Sequence, residues 1–166
     1  MRNIILCLAL VTSSSLANAN CQSIRGYLTQ APLPDCSEVA NIPGMQNLPF
    51  VGECFKSELK LQKQPIAYGY SGVTSEELYG QFGTTAYSPA IAMDGRSLLT
   101  VRSTFSLGGT RFYTSEVLIA NGDAVIEQSV ITATDGKGQY KNATGSFTIL
   151  GNSTIAPAYI FGEICK

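Results

Sequence analysis

Histidine and tryptophan are absent from this chain, and only 14% of its 166 residues are charged. Without histidine there is no Ser-His-Asp or Cys-His nucleophile pair and no His-ligated zinc site. The charged fraction is well below the roughly 25% of an average soluble protein. The net charge is −1. That balance excludes a nucleic-acid partner, which needs a basic face to release counterions. Long apolar runs are scarce too: Ile4–Val11 covers about eight residues, against roughly 20 for a bilayer-spanning helix. A chain of this length supports one domain.

What is present begins with an export signal. Arg2 precedes the Ile4–Val11 run, a Thr-Ser-Ser-Ser stretch follows, and Ala17-Asn18-Ala19 has the small-x-small form that signal peptidase reads. Cys21 invites comparison with lipid-anchored proteins, but the residues before it lack the Leu and the Gly or Ala that such a site uses. Cleavage after Ala19 is therefore predicted. It would release a secreted or periplasmic protein with no integral membrane segment.

Removal of residues 1–19 takes Cys7 with it and leaves Cys21, Cys36, Cys54 and Cys165. An even number of cysteines in an exported chain points to disulfides, with three pairings open for four cysteines. Cys36 with Cys54 would clip a Pro-rich loop, and Cys21 with Cys165 would tie the two ends together. No pair of C-x-x-C knuckles is present, so no metal site is expected.

Residues 20–52 carry Pro32, Pro34, Pro43 and Pro49 and read as an irregular, disulfide-stapled N-terminal segment. From Glu53 onward the pattern is β. Strand-like runs fall at Cys54–Gln62, Ile66–Tyr70, Leu78–Tyr87, Ser97–Leu107, Arg111–Ala120, Ala124–Ala133, Gly145–Leu150 and Ala158–Ile164. Gln64-Pro65, Asp94-Gly95, Gly108-Gly109, Asn121-Gly122 and Asp135-Gly136 punctuate them. Only Ser75–Tyr79 could begin a short helix. About eight strands without helical crossovers predict an all-β, eight-stranded antiparallel barrel over residues 53–166, with a sandwich as the alternative.

Residues 130–149 hold Gly136-Lys137-Gly138-Gln139-Tyr140-Lys141-Asn142-Ala143-Thr144-Gly145 between two strand-like runs. Gly136 and Gly138 let the chain reverse, Tyr140 can plug a barrel end, and Gly145 can restart a strand through an awkward backbone angle. No helix follows, so this is not a dinucleotide fingerprint and no cofactor is expected. The stretch resembles the G-x-G-x-[FY]-x-x-A-x-G signature of the allene oxide cyclase and dirigent barrel families. Those families include plant cyclases, dirigent proteins that steer phenoxy-radical coupling, and secreted microbial proteins. Cys36 and Gly52-Glu53-Cys54 look more like the microbial members.

The resemblance implies a barrel cavity whose apolar walls carry a few carboxylate, tyrosine and arginine groups. Candidates of those types are Asp94, Arg102, Arg111, Glu116, Glu127, Tyr68, Tyr70, Tyr87 and Tyr113. Alternation puts Glu116 on the Phe112/Thr114/Leu118 face and Arg102 on the Leu98/Thr100/Thr104 face. Were both to point inward they would form a buried ion pair. A solvent-facing strand charge is the plainer reading of each, and β-propensity the plainer reading of the tyrosines. Asn142-Ala143-Thr144 and Asn152-Ser153-Thr154 match the glycosylation acceptor pattern by chance. The expected function is binding of a small apolar ligand or a protein partner. The alternatives are a cyclase, isomerase or dirigent-type activity on an oxylipin, polyketide or phenolic, and a purely structural envelope role.

Overall fold

The computed structural model describes residues 20–78, 96–121 and 124–166. Eight strands follow one another as β1 (Cys21–Pro32), β2 (Cys54–Leu61), β3 (Ala67–Leu78), β4 (Arg96–Leu107), β5 (Thr110–Asn121), β6 (Ala124–Thr134), β7 (Thr144–Leu150) and β8 (Ala158–Cys165). Each pairs antiparallel with its neighbour, and β8 returns to pair with β1, closing a barrel. A short helix, α1 (Ser37–Ala40), lies between β1 and β2. The sandwich alternative is thereby excluded.

The barrel begins earlier than the composition suggests. Residues 21–32, expected to be irregular, form β1, and the irregular stretch shrinks to the connection between β1 and β2. Residues 75–78, read as the start of a helix, continue β3 instead. They are held there by pairing with β4 through a register shift between Val73 and Ser75. The rest of the Leu78–Tyr87 run lies outside the described residues, as does the whole of residues 1–19.

Cys21 bonds Cys165 across the β1–β8 seam, and Cys36 bonds Cys54. The second bond pins the β1–β2 connection to the outside of the barrel. There Val39, Met45 and Cys54 form a small core with Leu33, Ile42, Leu48, Phe50, Tyr70 and Tyr113 packed against it. The main core fills one end of the barrel interior and includes Ile24, Leu61, Leu107, Phe112, Ile131 and Ile164.

That end is sealed by the Gly-x-Gly segment. Gly136 and Gly138 have φ of 71° and 69°, in the left-handed region that glycine tolerates. A Cβ on Gly138 would also stand 2.6 Å from the Gly109 carbonyl oxygen. The turn delivers Tyr140 into the barrel end with 1% exposure. Its N–H donates to Thr110 Oγ1 at 2.9 Å, its hydroxyl donates to Gln22 Oε1 at 3.3 Å, and Lys166 Nζ sits 4.4 Å from its ring centre. Ala143 is buried behind it. Gly145 lets β7 lie against β8, because a Cβ there would strike the Glu163 carbonyl oxygen.

Candidate functional site

Strand alternation sends Ser103 and Phe105 of β4, Thr114, Glu116 and Leu118 of β5, and Glu127 and Ser129 of β6 to the barrel interior. Away from the plugged end these side chains become polar. Glu116 and Glu127 are 6% and 5% exposed, two carboxyl groups inside one barrel. In register Glu116 faces Ser129 and Leu118 faces Glu127, so the two glutamates are diagonal neighbours on adjoining strands.

Three hydroxyls converge on Glu116. Ser103 Oγ donates to Oε2 at 2.6 Å, and Thr114 Oγ1 and Ser129 Oγ donate to Oε1 at 2.6 and 3.1 Å. Glu127 has a different environment. Burial first, then the charge of Glu116, then a hydrogen bond to Glu116, push its carboxyl well above the usual carboxylate range. Glu116, with its oxygens already supplied with donors, accepts within the pair, and Glu127 donates.

A second polar group faces the pair across the interior. Gln30 Nε2 donates to Ser71 Oγ at 2.7 Å and to Ser57 Oγ at 3.3 Å, and Ser153 Oγ donates to Gln30 Oε1 at 2.6 Å. Around these groups lie two spaces. The inner one, about 30 Å³, is bounded by Leu28, Gln30, Ser57, Glu116, Glu127 and Ile160, among others. It has room for a water or two, at about 10–15 Å³ each by the same kind of measure. The outer one, about 180 Å³, has walls of Phe55, Val73, Leu99, Val101, Leu118 and Val125. Gln30 and Glu127 border both. The arrangement is an apolar cup with an amide and a protonated acid in its floor.

The candidates distribute unevenly around this cup. Glu116 and Glu127 are in it. Arg102 is not: it pairs with Gly72 and Ser115 on the outer face, as the plainer reading of a strand charge has it, so the condition for an Arg102–Glu116 ion pair is not met. One residue of register separates the two faces, since Glu116 pairs with Val101. Arg111 and Tyr113 also point outward. Tyr113 packs under the β1–β2 connection, close to Gly44, and Tyr70 joins the same small core. Tyr68 is 55% exposed on the outer surface. Asp94 and Tyr87 lie outside the described residues.

Sequence reasoning passed over Gln30, Ser57, Ser71, Ser103 and Ser129, which complete the polar floor. Small hydroxyl residues on a strand look like solvent-facing positions. The available signal was their alternation with outward-facing residues such as Lys56, Glu58 and Arg102.

Comparison of the chain with protein-family models, with curated proteins and with solved structures finds no match.

Proposed function

We propose that the protein is an exported barrel that binds a small, mostly apolar molecule in the cup, orienting its one polar group on Glu127 and Gln30. The carrying observation is the buried Glu116–Glu127 pair under an apolar space of about 180 Å³. An engineered apolar cavity of about 150 Å³ accepts benzene, so the size suits a ring compound or a short branched chain. Pockets of this kind gain affinity from their walls and orientation from a few convergent polar groups. A ligand carbonyl would take over the Glu127 proton now given to Glu116, or the Gln30 N–H now given to Ser57 at 3.3 Å. Two disulfides support export, because such bonds persist in oxidising compartments. Among the described residues no helix is long and apolar enough to cross a membrane.

Methyl NMR of Leu99, Val101, Leu118 and Val125 during titration with cyclohexanone and with cyclohexane tests the reading. Cyclohexanone should shift these methyls at lower concentration than cyclohexane, and Val101→Trp should abolish both responses. Undisturbed cup methyls with both probes would sink it.

One observation favours the cyclase or isomerase alternative implied by the barrel motif. Two buried carboxyl groups lie side by side in the floor of the cup, and burial beside Glu116 keeps the Glu127 proton available well above the usual carboxylate range. A substrate in the cup could take the Glu127 proton and return another to the same carboxyl, which Glu116 holds from the inner space. Conversion of a β,γ-unsaturated cyclic ketone to its conjugated isomer, lost in Glu127→Gln while cyclohexanone binding persists, would establish chemistry over simple binding.

A further inference from the structure

The outer wall of the barrel carries a second cavity, independent of the cup. Lys56, Tyr70, Thr104 and Tyr113 form one tier across β2, β3, β4 and β5, and Glu58, Tyr68, Ser106 and Arg111 form the next. The β1–β2 connection crosses near these tiers and contributes Ile42. Between them lies a groove of about 280 Å³ whose lining includes Ile42, Lys56, Ile66, Tyr68, Tyr70 and Arg111.

The groove has three properties that a passive surface crease lacks. Its apolar members are exposed: Ile66 is 47% and Tyr68 55% accessible. Its two charged members are both cations. Among the described residues the ion pair is Lys60–Glu58 at 3.1 Å, which leaves Lys56 and Arg111 with no carboxylate within 4.0 Å. The carboxylate of Asp135 next to Arg111 is engaged by the backbone N–H groups of Arg111 and Lys137 at 3.2 and 3.1 Å. Finally, Thr104 lines the groove, is only 4% exposed, and its Oγ1 has no hydrogen-bond partner. Native proteins satisfy nearly all buried hydroxyls, so this one marks an unfilled polar position beneath the groove.

We propose that the groove is a binding site for a small organic carboxylate, with its apolar body on Ile42, Ile66, Tyr68 and Tyr70 and its anionic group on Arg111 and Lys56. Aromatic faces and exposed aliphatic groups supply contact area. The guanidinium supplies the planar fork that matches a carboxylate in two parallel hydrogen bonds, and the ammonium adds a point charge. Lys56 and Arg111 start three strand spacings and one tier apart, roughly 14 Å across the strands and roughly 7 Å along them, within reach of their long side chains for one ligand between them.

Titration with 2-naphthoate and with neutral 2-naphthamide, followed by NMR of Ile42, Ile66, Tyr68 and the cup methyls of Val101 and Leu118, tests the site. Naphthoate should perturb the groove resonances and leave the cup unmoved. Naphthamide should bind at least tenfold more weakly. Arg111→Gln should weaken naphthoate at least tenfold and Lys56→Gln at least threefold, with unchanged thermal midpoints. Thr104→Val should keep or raise the midpoint, since no bond is lost, and should weaken naphthoate at least twofold. Equal binding of acid and amide, a response confined to the cup, or full affinity in Arg111→Gln would each overturn the proposal. Failure in the groove leaves the reading of the cup standing, because cyclohexanone reports the cup separately.

Discussion

Glu127 keeps its proton because folding removes its carboxyl from water and sets it beside Glu116. That choice has a thermodynamic sign. In the unfolded chain the group ionises near its ordinary value of 4.5, while in the folded barrel it ionises only at higher pH. Between those limits the folded state binds more protons than the unfolded state. Stability from this group is therefore complete below about pH 4.5 and is lost as pH rises toward the folded pKa, at about 1.4 kcal/mol per pH unit. Glu127→Gln imitates the protonated acid and escapes that loss. Its urea midpoint should match the parent near pH 4 and exceed it once pH rises above the ordinary carboxylate range, whereas a constant difference would contradict the account. The pair was half legible in the sequence. Alternation places each glutamate among small and apolar neighbours, which is where an inward charge would sit. Their proximity was not legible, because it depends on β5–β6 register, which pairs Asn121 with Ala124 and so Leu118 with Glu127.

At the level of elements, the Gly-x-Gly turn and Tyr140 behave as one device. Tyr140→Ala removes a fully buried ring from the plugged end and should cost about 3–5 kcal/mol by urea denaturation. Tyr140→Phe keeps the ring and loses the bond to Gln22, and should cost only about 1 kcal/mol. Gly138→Ala should destabilise by roughly 1–3 kcal/mol, since it combines a left-handed backbone with a Cβ driven onto Gly109. If Gly138→Ala is neutral, the turn is more pliable than its close approach indicates. The plug could be read from residue types alone because its demands are local: glycines for the reversal, an aromatic for the hole. β1 could not. Its inward positions Ile24, Gly26, Leu28 and Gln30 alternate apolar, small, apolar and polar, too thin a stripe to stand out beside the prolines that follow. Gly26 and Gln30 make sense only once β2 and the serines of the floor are beside them.

For the whole molecule, closure is the organising fact, and the cysteines act on it at two ranges. In the loop-entropy picture a bond closing a loop of about 15 residues contributes about 3 kcal/mol, and one closing about 100 residues somewhat under 5 kcal/mol. The bonds here span 18 and 144 residues. Replacing Cys21 and Cys165 by serine should therefore lower the urea midpoint more than replacing Cys36 and Cys54. The shorter bond should show itself locally, as faster amide exchange in α1 and around Met45. The reverse ranking would mean that residual structure in the unfolded chain, rather than loop length, sets the two contributions. Eight strands and short turns made the barrel class readable, but the partner of the first strand is the last, and only the pairing of Cys21 with Cys165 signalled a contact across the entire chain. That seam has one more consequence. Asn20 and Lys166 exchange backbone hydrogen bonds in both directions at 3.3 Å. The folded object is thus nearly a ring, and where its polypeptide is cut matters little to the shape. A short peptide joining Lys166 to Asn20, with a new opening in the exposed turn at Gln62-Lys63, would leave every strand pair in place and turn the covalent seam into an ordinary hairpin.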